Sequence, residues 1–177
     1  MTAEAFADIA RDHARLGGSS DVQIILEPGP RNTAPAAALA ALAVAEDNPA
    51  DVIGLFPSDH HISDEVAFLA TIASARKLAE NGAIVTLGIV PDAPHTGYGY
   101  IRRGEALGGG FKVDRFVEKP NAVAAAELFA DKSYYWNAGI FFFRADVFLR
   151  ELGAHRPDIR EAAKLAWAGA KHTERGI

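Results

Sequence analysis

The order of segments along the chain predicts an α/β fold with a mixed, mainly parallel sheet. Three short apolar runs, at residues 22–26, 51–56 and 83–90, are separated by stretches of helical period. Strand, helix, strand, helix, strand is the pattern of βαβ units with right-handed crossovers. After Val90 the rhythm changes. Strand-like residues 98–103 and 111–118 are joined through Gly108-Gly109-Gly110, which predicts an antiparallel hairpin added to the sheet.

Each element has its own warrant. Phe6, Ile9, Ala10, His13 and Leu16 recur at helical spacing, so residues 2–16 are expected to form an amphipathic helix. His13 then falls on the apolar face as a hydrogen-bonded core residue. Gly17-Gly18-Ser19-Ser20 breaks the helix. Residues 22–26 are short and apolar, as a buried parallel strand is. The loop 27–33 leads into an alanine-rich helix at 34–46. Pro35 suits its first turn, and Asn32 or Thr33 can cap it. Pro57 cannot continue a ladder, so the strand at 51–56 ends there. Ser63 or Asp64 caps the next helix, and Phe68, Leu69, Ile72, Ala75 and Ala79 make its apolar face. Asn81-Gly82 terminates it. Residues 122–130 are helical and 134–143 form a long aromatic strand, interrupted by Asn137-Ala138-Gly139. Helical spacing returns at 145–152 and 157–168, and 172–177 shows no pattern. With no internal repeat and no linker, residues 1–177 read as one domain.

Composition narrows the function. A chain of 177 residues, 49% hydrophobic and 23% charged, can bury a core as a soluble protein does. The net charge of −5, without a long basic run, argues against nucleic acid or an anionic membrane as partner. With no cysteine, thiolate metal ligands and a Cys nucleophile are excluded. No run of about 20 apolar residues occurs and no signal-peptide pattern follows Met1, so a cytoplasmic location is expected.

Four places could carry chemistry. Ser58 to His61 follow a strand at its carboxyl end, where open α/β sheets bind ligands. A carboxylate there, Asp59, beside His60 and His61, suits a metal or phosphate; the bland reading is a polar turn. Glu118-Lys119-Pro120 ends a strand with opposite charges, and Pro120 is expected to hold Lys119 extended. Glu accepts hydrogen bonds from hydroxyls and Lys gives a compact cation to phosphate, a pairing suited to a phosphorylated sugar. The alternative is a solvated rim ion pair. Asn137-Ala138-Gly139 and Thr96-Gly97-Tyr98-Gly99-Tyr100 each mark a bulge or a close approach of ligand to backbone.

Taken together, several blocks resemble the mannose-1-phosphate guanylyltransferases, in particular the bacterial type often fused to a mannose-6-phosphate isomerase domain. They are Leu26-Glu27-Pro28 with Arg31-Asn32-Thr33-Ala34-Pro35-Ala36, Phe56-Pro57-Ser58-Asp59-His60, Thr96-Gly97-Tyr98-Gly99-Tyr100-Ile101, Phe116-Val117-Glu118-Lys119-Pro120 and Tyr135-Trp136-Asn137-Ala138-Gly139-Ile140-Phe141. They stand in the family's order across residues 22–159. The resemblance implies a three-layer, Rossmann-like nucleotide-diphospho-sugar transferase fold, incomplete here at both ends. It implies that Arg31, Asn32 and Thr33 receive the guanine nucleotide and that Asp59 binds the catalytic Mg²⁺. Gly97 and Tyr98 would form the sugar-side loop, Glu118 and Asn137 would hold mannose hydroxyls, and Lys119 would hold the 1-phosphate and act with Asp59 in catalysis. The implied partners are GTP and mannose 1-phosphate, and a homo-oligomer is left open. The reaction would be in-line attack of a mannose 1-phosphate oxygen on the α-phosphorus of GTP.

The chain also departs from that family. The glycine-rich, Arg-containing loop that wraps the triphosphate has no counterpart, since Gly17-Gly18-Ser19-Ser20 follows a helix and lacks the Arg. The second metal-binding Asp and the isomerase domain have none either. The chain is therefore expected to be a partial nucleotidyltransferase domain with little activity alone. Two rivals stand beside this reading: a non-catalytic remnant that binds sugar phosphate or a protein, and a metal-dependent phosphohydrolase built on Asp59-His60-His61.

Overall fold

The computed structural model describes residues 1–18, 22–29, 31–171, 173 and 176–177. The chain forms two compact units, one of Met1–Pro49 with Phe148–Ile177 and one of Ala50–Val147.

In the first unit, strand β1 (Thr2–Ala3) pairs in parallel with β2 (Leu26–Glu27). Ile24 and Ile25 are buried, but the ladder begins only at Leu26, later than the apolar run suggests. A 3-10 turn (Glu4–Phe6) leads into α1 (Ala7–Leu16), which Gly17 closes through its N–H on the His13 and Arg15 carbonyls. His13 is exposed rather than a core residue. The stripe that includes Phe6, Ile9 and Leu16 is exposed with it, and only Ala7 of α1 is buried. Helical period sets which side chains share a face; burial of that face needs a partner that the period cannot supply. Helix α2 (Thr33–Asp47) lies against α6 (Pro157–Ala168) around Ala38, Leu152 and Ala163. Its alanines let the helices approach closely, and Trp167 Nε1 donates to Glu46 at 2.6 Å. Leu152 comes from α5 (Ala145–His155), which begins in the second unit. Ser19, Ser20, Asp21, Pro30, His172, Glu174 and Arg175 lie outside the described residues.

The second unit is a five-stranded sheet with helices. Its strands are β3 (Val52–Leu55), β4 (Val85–Ile89), β5 (Tyr100–Leu107), β6 (Gly110–Val117) and β7 (Tyr134–Arg144). The eleven-residue β7 is the spine, pairing antiparallel with β3, β4 and β5. β3 and β4 thus run in the same direction, as the βαβ pattern predicts, but β7 lies between them. The pairings of this five-stranded sheet are therefore antiparallel, and the parallel pairing is that of β1 with β2. β5 and β6 form the expected hairpin through Gly108 and Gly109, both at positive φ.

Helix α3 (Glu65–Glu80) covers one face, packing Phe68, Ile72, Ala75 and Ala79 on Ala138, Ile140 and Phe142. Asp64 caps it by accepting from Ala67 N–H at 2.9 Å, and Gly82 at φ 87° ends it. Leu69, placed on the apolar face by its spacing, is 63% exposed instead. Helix α4 (Ala122–Ala130) is capped by Asn121 and precedes the turn into β7.

Candidate active site

The register of the second unit aligns four residues in one rung. Tyr100 pairs with both Val117 and Trp136, so the next rung out sets Gly99 between Glu118 and Asn137. The Asn137 N–H donates to the Gly99 carbonyl at 2.8 Å, and Asn137 faces Gly88 across its other edge. Two glycines thus alternate with two side chains able to bind hydroxyls. Glu118 and Asn137 stand two strand spacings apart, about 10 Å. The floor between them at Gly99 has no side chain. A Cβ there would lie 2.9 Å from Glu118 Oε2 and 3.0 Å from the Phe116 ring, so glycine is required for the carboxylate to lean inward.

The Asn137 carboxamide is held by its oxygen. Oδ1 accepts from Thr86 Oγ1 at 2.7 Å and from the Gly139 N–H at 3.2 Å. A backbone N–H can only donate, so this atom is the oxygen and the amide nitrogen is the end free to donate to a ligand. Gly139 at φ 70° makes the bulge that permits this loop-back, and the ladder with β4 shifts at the same place.

The strand that leads to Asp59 meets the same edge of β7. β3 pairs along β7 from Arg144 to Phe141 and β5 from Trp136 to Tyr134, end to end on one side. The gap between them is at residues 137–140. A Cβ on Gly139 would lie 3.6 Å from Pro57 Cγ, and Gly99 meets Asn137. The chain therefore leaves β3 at Pro57 and enters β5 at Gly99 on either side of one opening, the kind of divergence where α/β sheets hold ligands. Asp59 is two residues beyond Pro57, exposed and without a hydrogen bond or ion pair among the described residues. Nor do the described residues contain any group of three His, Cys, Asp or Glu able to hold a metal. One free carboxylate fits Mg²⁺, which keeps water and phosphate oxygens as most of its ligands.

Lys119 is not extended as its neighbour Pro120 predicts. It sits at φ 40°, and its Nζ lies 3.7 Å from Glu118 Oε1 with both side chains largely exposed. The turn that passes from Val117 to the Asn121 cap needs a reversal, and this overrides the pre-proline preference. Asn32 has φ 68° and ψ −179°, and its side chain makes no capping bond to α2. Lys119 and Asn32 are the only non-glycine residues at positive φ among the described residues. Strain of this kind costs about 1–3 kcal/mol and clusters at functional positions. Arg31, Asn32 and Thr33 are all exposed at the start of α2 in the first unit.

Some members of the site were not singled out from the sequence. Thr86 could have been noticed as the one hydroxyl in an otherwise apolar strand. His95 and Trp136 join Tyr98 in a three-ring cluster, with centroids 5.0–5.4 Å apart. Nothing in sequence spacing links residues 95 and 136, which only strand pairing brings together.

The nucleotidyl transferase family model matches residues 1–175. This chain belongs to that family. It is 51% identical over 150 residues to mannose-1-phosphate guanylyltransferase of Escherichia coli (strain K12), covering 81% of this chain and 31% of that protein. It is 48% identical over 163 residues to xanthan biosynthesis protein XanB of Xanthomonas campestris pv. campestris (strain B100), covering 92% and 35%. The chain thus spans about a third of the length of these curated relatives. Among solved structures, a Helicobacter pylori mannose-6-phosphate isomerase superposes with a TM-score of 0.87 at 35% identity, over 97% of this chain and 64% of that one. A Thermus thermophilus protein described as mannose-1-phosphate geranyltransferase superposes with a TM-score of 0.77 at 34% identity, over 91% and 47%. Among the described residues of this nucleotidyl transferase chain no helix is long and apolar enough to cross a membrane.

Proposed function

We propose that this chain carries the sugar-phosphate side of a mannose-1-phosphate guanylyltransferase. The family reaction is transfer of a guanylyl group from GTP to mannose 1-phosphate, giving GDP-mannose and pyrophosphate. The rung Glu118–Gly99–Asn137 carries this reading: an acceptor and a donor face each other across a bare floor wide enough for one pyranose. A relative at 51% identity bears a name that fits it.

In this reading Glu118 accepts from mannose hydroxyls and the Asn137 amide nitrogen donates to another. Gly97 and Tyr98 line the approach with their backbone, and Lys119 neutralises the 1-phosphate. Arg31, Asn32 and Thr33 receive the guanine nucleotide. A phosphate oxygen of the sugar attacks the α-phosphorus in line, one P–O bond forms, and the bond to the bridging oxygen of pyrophosphate breaks. No covalent enzyme intermediate is needed; positioning and charge neutralisation supply the rate. Asp59 would hold Mg²⁺, which when bound lowers the charge on the phosphate oxygens. A phosphohydrolase built on Asp59-His60-His61 would need a multi-ligand cluster, which the described residues do not form. Residues 1–177 are read as part of one transferase domain working in the cytoplasm.

Isothermal titration tests the site. Mannose 1-phosphate should bind saturably without GTP, and Glu118→Gln and Thr86→Val should each weaken it roughly tenfold, about 1.4 kcal/mol. Thr86→Ser should retain it. Absence of sugar-phosphate binding by the unaltered chain would overturn the reading. A pyrophosphate-release assay with GTP, mannose 1-phosphate and Mg²⁺ should give almost no signal from these 177 residues, which hold no glycine-rich triphosphate loop. Sustained turnover would refute that part alone.

A further inference from the structure

The segment between Val90 and Gly99 has no regular secondary structure and contains Pro91, Pro94 and Gly97. Its attachment converges on one residue. The buried Tyr100 hydroxyl donates to the His95 carbonyl at 2.9 Å, and the His95 N–H closes a tight turn on the Ala93 carbonyl. The imidazole then lies 5.2 Å from the Tyr98 ring and 5.4 Å from the Trp136 ring, which are 5.0 Å from each other. Three rings in mutual contact, one from a loop tip, one from the loop's far end and one from β7, make a clasp.

Trp136 shows what that clasp requires. Its Nε1 is shielded from solvent and has no hydrogen-bond partner. A phenylalanine would avoid the unpaired donor but would offer less ring area to the His95 and Tyr98 rings that the indole touches. Trp136 and Asn137 are consecutive in β7 and so project to opposite faces. The clasp therefore grips the loop from behind the rung of Glu118, Gly99 and Asn137 and leaves the front of it open.

We propose that His95 is a positioning residue: its ring latches the 91–99 loop to Trp136 and so fixes Gly97 and Tyr98 beside the sugar-phosphate floor at Gly99. The sugar-phosphate part rests on the function proposed above, whereas the latch itself does not. In the full chain, His95→Ala should speed amide hydrogen exchange in peptides covering residues 95–99 at least tenfold. It should leave exchange in α3 and the melting temperature unchanged. His95→Phe, which keeps a ring, should restore slow exchange. Slow exchange in His95→Ala, or no rescue by His95→Phe, would overturn the latch whatever the chain binds. Mannose 1-phosphate titrated against the same three proteins should bind about tenfold more weakly to His95→Ala and normally to His95→Phe. Equal binding to all three would overturn the positioning role. A loosened loop in His95→Ala, with no binding even by the unaltered chain, would refute the sugar-phosphate reading while upholding the latch.

Discussion

Gly97 and Gly99 are two residues apart and answer to different constraints. A Cβ on Gly97 would meet nothing within 4 Å, and its φ is not positive, so the fold has no need of glycine there. Gly97→Ala should therefore leave thermal unfolding unchanged while weakening mannose 1-phosphate binding, measured by calorimetry, because only a ligand needs that close approach. Lys119 poses the converse case. Its exposed ion pair with Glu118 is worth less than about 1 kcal/mol, too little to justify a left-handed backbone. Lys119→Gly should relieve about 1 kcal/mol and raise the melting temperature, whereas Lys119→Ala should not, and both should lose sugar-phosphate binding. The strand-end Glu-Lys-Pro was legible as a charged rim. Its backbone was not, because the pre-proline rule is a local preference and the reversal into α4 is a tertiary demand.

At the scale of elements, β7 is the strand on which β3, β4 and β5 assemble around the candidate site, and the turn before it sets its start. Ser133 donates to Asp131 through its N–H at 2.9 Å and its hydroxyl at 2.7 Å. These bonds, the backbone one first, hold the Asp131 carboxyl below its ordinary value, with desolvation opposing and Arg102 adding a small pull. The folded-state pKa is thus below the unfolded one, so this stabilisation is complete above the ordinary carboxylate range. It is lost as pH falls through the depressed value. Asp131→Ala should unfold at a lower temperature than the parent chain at pH 7, and the gap should close on acidification, as thermal melts at stepped pH will show. The strange Asn-Ala-Gly interruption in an aromatic strand was visible in the sequence as needing a reason. That Asn137 is clamped by Thr86, 51 positions earlier, was not, because pairing across β4 and β7 has no local signature.

Across the whole molecule, each unit has its own small core. In the second unit, Phe142 is 4% exposed, packs edge-on to Phe56 at 5.5 Å and lies in the cluster under α3. Phe142→Ala should cost about 3–5 kcal/mol, seen as a lower denaturant midpoint. The α/β class, the hairpin, the cap at Asp64 and the end at Gly82 all followed from local rules of period and turn chemistry. The open apolar stripe of α1 and the exposed His13 did not, since period names a face and only a distant neighbour can cover it.

By itself the sequence marked the residues proposed to carry chemistry: a lone carboxylate after a strand-ending proline, a Glu-Lys pair at a strand end, an Asn beside a glycine bulge. Residue type and chain direction are enough for that, because they act over a few bonds. Only the tertiary structure decided their arrangement. Antiparallel register on β7 set Glu118, Gly99 and Asn137 in one rung, and the end-to-end seating of β3 and β5 left the opening beside it. Pairing between strands far apart in sequence is chosen by the packing of the sheet as a whole, a choice no short stretch of the chain contains.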